Sequence, residues 1–196
     1  GALGDMGCFS LHPLKNLHIW GDGGVITTDN DAHAKALRLL RNHGLSDRDT
    51  WAIPGYNSRL DAVQAAVALH YLPRVHVVNA RRTAIAGEYR SRLAAVPQIR
   101  FPAIGKGIYP SYHLLIAHAE RRDELKAHLN AAGVDAKIHY PKALHLQPAL
   151  ARYGYKPGQF PAYEQALTEV ISLPVHEFLS SADVETVCEA VKAFYR

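Results

Sequence analysis

The stretch Cys8-Phe9-Ser10-Leu11-His12-Pro13-Leu14-Lys15-Asn16-Leu17, followed by Gly21-Asp22-Gly23-Gly24 and the β-branched run Val25-Ile26-Thr27-Thr28, decides how this chain is read. A short apolar strand ends at Ser10, a turn containing Pro13 presents one lysine, and a glycine-rich bend returns the backbone as a second strand. An amine at the end of a strand can be desolvated by the sheet beneath it. Desolvation disfavours the ammonium form, so a nucleophilic amine becomes available near neutral pH. The plain alternative is a surface lysine in a turn. The glycines at 21, 23 and 24 read as turn residues rather than a phosphate cradle, because a strand follows them and not a helix.

Outward from this stretch, Asp29-Asn30-Asp31 supplies N-cap chemistry for a helix carrying Ala36, Leu37 and Leu40 on one face and closed by Gly44. A loop rich in Asp, Ser, Gly and Pro runs from Leu45 to Tyr56. Asp61, with Gln64 three residues on, caps a long helix whose expected buried stripe is Val63, Ala66 and Val67. Pro73 kinks or divides that helix, which then continues to about Ala95. From Ile99 the pattern becomes alternating strands and helices: a strand over Tyr109 to Ala119, a helix over Arg121 to Ala132 stopped by Gly133, and a strand over Val134 to Tyr140. Ile171-Ser172-Leu173-Pro174 reads as a short strand ended by proline, and Ala182 to Tyr195 as a final helix. The second part is thus a small α/β domain.

With 196 residues, 48% hydrophobic and 20% charged, the chain is long enough for a core and for one or two domains. No run of eighteen apolar residues predicts a transmembrane helix, and no charged-then-apolar leader opens the chain, so a cytoplasmic protein is expected. Cys8 and Cys188 stand far apart and outside any CxxC pair, which predicts two free thiols. The net charge is +4 and the pI about 9.1. The basic pairs Arg81-Arg82 and Arg121-Arg122 are interleaved with acids and read as solvated helix faces, not as a nucleic-acid footprint. Twelve histidines include no HExxH and no cluster at ligand spacing, so no metal is expected.

Phe9-Ser10, Lys15, Leu17, Gly21-Asp22-Gly23-Gly24, Arg41-Asn42-His43-Gly44, Gly55-Tyr56-Asn57-Ser58-Arg59-Leu60-Asp61 and His139-Tyr140-Pro141 occur in that order, followed by Leu146-Gln147-Pro148 and Ile171-Ser172-Leu173-Pro174. Together they resemble the DegT/DnrJ/EryC1/StrS sugar aminotransferases. The resemblance implies an α/β, PLP-dependent transferase of fold type I (aspartate-aminotransferase-like), present as a C-terminal portion. Residues 1–80 would be the C-terminal part of the large pyridoxal 5'-phosphate domain with the start of the linking helix, and 81–196 the small C-terminal domain. The carboxylate that pairs with the pyridine nitrogen, the residue stacking on the cofactor ring and part of the phosphate loop would belong to an N-terminal portion, ahead of an opening at Gly1-Ala2 without methionine.

The resemblance also implies roles. Lys15 would be the Schiff-base lysine and proton shuttle. Ser10 would donate to the cofactor phosphate, and Asn57 would reach the cofactor of a partner subunit, making the active site of a homodimer composite. His12, Tyr140 and His145 would contact substrate. Arg59 would serve either an interface salt bridge or a substrate anion. The expected reaction moves an amino group from an amino acid, glutamate in the first instance, to a nucleotide-linked keto sugar. Three alternatives stand beside it. A sugar dehydratase relative is disfavoured because such relatives replace the lysine; a cyclitol aminotransferase keeps it; a non-catalytic or incomplete fragment needs no site.

Overall fold

The computed structural model describes residues 3–196, so Gly1 and Ala2 of the expected opening lie outside the described residues. The chain separates into two compact units, one ending at His76 and the other beginning at Val77.

In the first unit β1 (Gly7–Ser10) pairs antiparallel with β2 (Gly24–Thr27), Gly7 facing Thr27 and Ser10 facing Gly24. Helix α1 (Asp31–Leu40) starts at Asn30, whose side chain accepts from the N–H groups of Ala32 and His33 at 2.9 and 3.1 Å. Two donors that no helical carbonyl can reach are thereby satisfied. Helix α2 (Ala62–Tyr71) begins with the capping box expected of Asp61 and Gln64. The stripe expected to be buried on α2 is not: Val63 is 63% exposed. Helix α2 holds no buried residue at all. A 3₁₀ turn, Leu72–Arg74, divides α2 from α3 (Val75–Arg92) at Pro73, as a residue without a backbone N–H requires.

The second unit is built on a three-stranded antiparallel sheet in the order β3 (Ile99–Arg100), β4 (Leu115–Ala119), β5 (Val170–Leu173). Burial alternates along β4, with Leu115, Ala117 and Ala119 facing inward. Against them pack Ile85, Ala86 and Tyr89 of α3, Leu125 and Leu129 of α4 (Arg122–Ala131), and Val184, Val187, Cys188 and Val191 of α6 (Ser181–Tyr195). Gly133, at φ +80°, follows α4 as its expected stop.

Three further expectations are corrected, and one helix is added. The strand over Tyr109 to Ala119 forms only from Leu115, because Pro110 lacks a donor and Tyr112 takes φ 45°. Val134 to Tyr140 makes one isolated bridge, Lys137 to Ser172, instead of a strand. The N–H of Ala136 is taken up locally by Val134 O and Asn130 Oδ1, at 2.8 and 3.1 Å. Helix α5 (Pro161–Glu169), opened by a proline at its first position, has no counterpart in the sequence reading. Finally, one arginine of each basic pair is buried rather than solvated. Arg82 is 8% exposed, donates to Tyr112 O and Val175 O at 3.3 and 3.0 Å, and pairs with Glu177 at 3.1 Å. Arg122 donates to Val170 O at 2.8 Å. A guanidinium can be withdrawn from water where its fork meets carbonyls and a carboxylate together.

Candidate active site

Two backbone bonds shape the loop that leaves β1: Leu11 N–H to Gly23 O at 2.9 Å and Ile19 N–H to Leu11 O at 3.0 Å. Leu11 and Ile19, 2% and 0% exposed, form an apolar floor under the loop. Gly23 lies directly on that floor. A Cβ there would stand 2.4 Å from Ile19 Cδ1 and 2.8 Å from Leu60 Cδ1, so the return of the loop needs glycine.

Above the floor the loop is knit to itself. Lys15 is partly buried. Its N–H donates to His12 O at 2.8 Å, and its carbonyl faces His18 Nδ1 at 3.2 Å. Leu14 N–H donates to His12 Nδ1 at 3.1 Å, so that nitrogen carries no proton and Nε2–H is the edge His12 can offer, 3.9 Å from Asp22. The Ser10 hydroxyl accepts from His12 N–H at 3.3 Å and keeps its own hydrogen for donation. Ser10 at the end of β1 and Lys15 on the loop after it are thereby both tied to His12.

Asn57 sits on a second loop of the same unit. Its backbone bridges to Asn42, with His43 N–H to Tyr56 O at 2.7 Å and Ser58 N–H to Arg41 O at 2.9 Å on either side. Two glycines allow this approach. A Cβ on Gly44, itself at φ +77°, would lie 1.7 Å from Ile53 O; one on Gly55 would lie 2.2 Å from Gly44 N. The Asn57 side chain accepts from Arg59 Nε–H at 3.2 Å, and Arg59 Nη1–H also donates to Asn42 Oδ1 at 3.3 Å. Gln64 ties α2 to the β1–β2 loop, donating to Trp20 O and Asp22 O at 3.0 and 3.3 Å. The spacing Asp61-x-x-Gln64 announces the cap but not this second use of the amide.

Tyr140 and His145 belong to the second unit. Tyr140 is 70% exposed, whereas His145 is buried among Tyr155, Phe160 and Tyr163, its Nε2 3.2 Å from Glu164 Oε1 at ion-pair distance without hydrogen-bond alignment. Gly158 and Phe160 N–H groups donate to Glu164 and hold its carboxyl below the usual carboxylate range, with His145 adding to the effect. No sequence signal marked Glu164, because its partners come from a turn and a helix that the reading left undefined.

The donor set of the first unit fits a phosphorylated aldehyde. A hydroxyl (Ser10), an amide whose oxygen is already engaged (Asn57) and a primary amine on a tied loop (Lys15) suit a phosphate dianion and a carbonyl carbon. Among the described residues no three His, Cys, Asp or Glu are placed to share a metal ion.

The chain is similar to known proteins over nearly its whole length. The chain is 41% identical over 193 residues to the erythromycin biosynthesis sensory transduction protein EryC1 of Saccharopolyspora erythraea, covering 98% of this chain and 53% of that protein. It is 40% identical to the dTDP-3-amino-3,4,6-trideoxy-alpha-D-glucose transaminase of Streptomyces venezuelae, covering 98% and 51%. Its fold superimposes on the crystal structure of S. venezuelae DesV in complex with a ketimine intermediate with a TM-score of 0.94 at 39% identity, covering 98% and 52%. The chain thus spans about half the length of the relatives it matches and has the fold of that part of a sugar aminotransferase. The model of one family matches residues 1–192, and on that match, with these likenesses, the chain belongs to the DegT/DnrJ/EryC1/StrS aminotransferase family.

Proposed function

We propose that the whole protein is a pyridoxal-phosphate-dependent aminotransferase that passes an amino group from glutamate to a nucleotide-linked keto sugar, in the cytoplasm, as a homodimer with a shared site. The unit ending at His76 is assigned to the large cofactor domain, and the unit from Val77 to the small domain. The observation that supports the reading is Lys15 held on the constrained β1–β2 loop by its bond to His12 O, with the N–H of His12 on the Ser10 hydroxyl. Relatives named as dTDP-amino-sugar and UDP-keto-sugar aminotransferases support the substrate class. Solved relatives described in pyridoxal- and pyridoxamine-phosphate forms support the cofactor.

When bound, the cofactor supplies an electron sink that the protein itself lacks. Lys15 would hold it through Nζ. Once freed by the amino donor, the same Nζ would accept and return the proton of the donor's α-carbon, a task worth roughly a hundred- to ten-thousand-fold in rate. Ser10 Oγ–H and Asn57 Nδ2–H would hold the phosphate, Asn57 from the partner subunit. Tyr140, exposed, and His12, through Nε2–H, are assigned to the sugar. His145, shut among aromatic rings, is assigned to holding Glu164 and the segment that carries Tyr140.

Incubation of the whole protein with ¹⁵N-glutamate and dTDP- or UDP-linked keto sugars tests the assignment. Label is expected in the sugar and is expected to vanish with Lys15→Ala. A Lys15→Ala protein that transfers nitrogen at the normal rate contradicts the role of Lys15.

A further inference from the structure

We propose that Arg59 is a positioning residue: its guanidinium fixes which way the Asn57 carboxamide points, and Asn42 fixes Arg59. The proposal rests on the reading of Asn57 as a phosphate donor. A guanidinium can only donate hydrogen bonds. Arg59 Nε lies 3.2 Å from Asn57 Oδ1, and Nη1 lies 3.3 Å from Asn42 Oδ1. Turning either amide over would set N–H against N–H, so the chemistry of the partner dictates the orientation. The Nδ2–H group of Asn57 is thereby directed away from Arg59 and kept for an acceptor.

The backbone makes this clamp possible. Asn42 and Asn57 are partners across an isolated antiparallel bridge, flanked by the His43–Tyr56 and Ser58–Arg41 bonds. In extended backbone, residues two apart share a face. Arg59 therefore stands beside Asn57 and spans to the partner of that residue across the bridge. One planar fork meets two carbonyl oxygens at once, which the single ammonium of lysine does not reproduce. The competing role for Arg59 is direct attraction of the phosphate by its charge, which lysine would largely keep.

Titration of the apo whole protein separates the two roles. Pyridoxamine 5'-phosphate and pyridoxamine serve as ligands, because neither condenses with Lys15 and they differ only in the phosphate. Asn57→Ala is expected to weaken the phosphorylated ligand roughly ten- to a hundred-fold, the loss of one charge-assisted hydrogen bond, and to leave pyridoxamine unchanged. Arg59→Lys and Arg59→Met are expected to weaken it about equally, and Asn42→Ala to weaken it in the same direction. Adding Arg59→Met to Asn57→Ala is expected to change nothing further.

Normal phosphate affinity in Arg59→Lys, or a further loss in the double variant, overturns the positioning role while leaving Asn57 a ligand. So does equal weakening of both ligands by the Arg59 variants, which marks a general disturbance of the loop. Asn57→Ala with unchanged phosphate affinity removes the reading on which the proposal stands.

Discussion

Cys188 lies inside α6 with no exposed surface, and burial pushes its thiol up to about 11 from 9.0. Only the thiolate is an effective nucleophile, so enclosure and protonation act together. The native whole protein is expected to leave Cys188 unalkylated by iodoacetamide at pH 8 and to expose it on denaturation, as peptide mass mapping will show. Because the folded value is raised, the associated stability is complete below about pH 9 and is lost as pH rises through about 11. Labelling of Cys188 at the same rate before and after unfolding would contradict the burial. Single residues were legible in sequence where their signal was local. The strand end at Ser10 and the turn that carries Lys15 could be read from short motifs, whereas the roles of Ser10, Lys15 and Asn57 are what the resemblance implies. Arg82 and Arg122 could not, since an arginine beside another arginine reads the same whether its fork meets water or the carbonyls of Val175 and Val170.

Among the elements, the paired backbones at 42–44 and 55–58 depend on two glycines for different reasons. Gly44 combines a positive φ with an obstructed Cβ position, whereas Gly55 is obstructed by backbone alone. Gly133, by contrast, has φ +80° and open space around it. Gly55→Ala is expected to cost more than about 2 kcal/mol, since neither backbone can yield without breaking the bridge. Gly133→Ala should cost roughly 1–2 kcal/mol, the left-handed penalty alone. Urea midpoints of the two variants check the order; equal or reversed costs would mean that the loops are not in contact. Elements with capping chemistry at their start were readable: α1 with Asn30, and α2 with Asp61 and Gln64. The missing strand at Val134–Tyr140 was not, because its alternation suits a ladder while Asn130 and Val134 have already taken the N–H of Ala136. The clue to α5 was a proline at its start, which equally fits a turn.

At the scale of the whole molecule, the two units differ in how they are sustained. The second has a continuous core drawn from α3, α4, α6 and its sheet. The first buries little beyond Leu11 and Ile19 and leaves Trp20, Val25, Ile26, Val63 and Leu69 exposed, an amount of apolar surface that a protein ordinarily covers. Among the described residues no helix is long and apolar enough to cross a membrane. A second subunit is one source of that cover, and the shared-site reading makes it testable. Whole protein carrying Lys15→Ala and whole protein carrying Asn57→Ala, each impaired alone, are expected to regain activity when mixed, through the composite site that receives both intact residues. Mixed dimers that stay inactive would contradict the shared site. The most direct test of the account concerns one atom, Lys15 Nζ. Whole protein loaded with pyridoxal phosphate, reduced with borohydride and digested is expected to carry the pyridoxyl group on the peptide containing Lys15. Recovery of the group on any other residue, or on none, would contradict it.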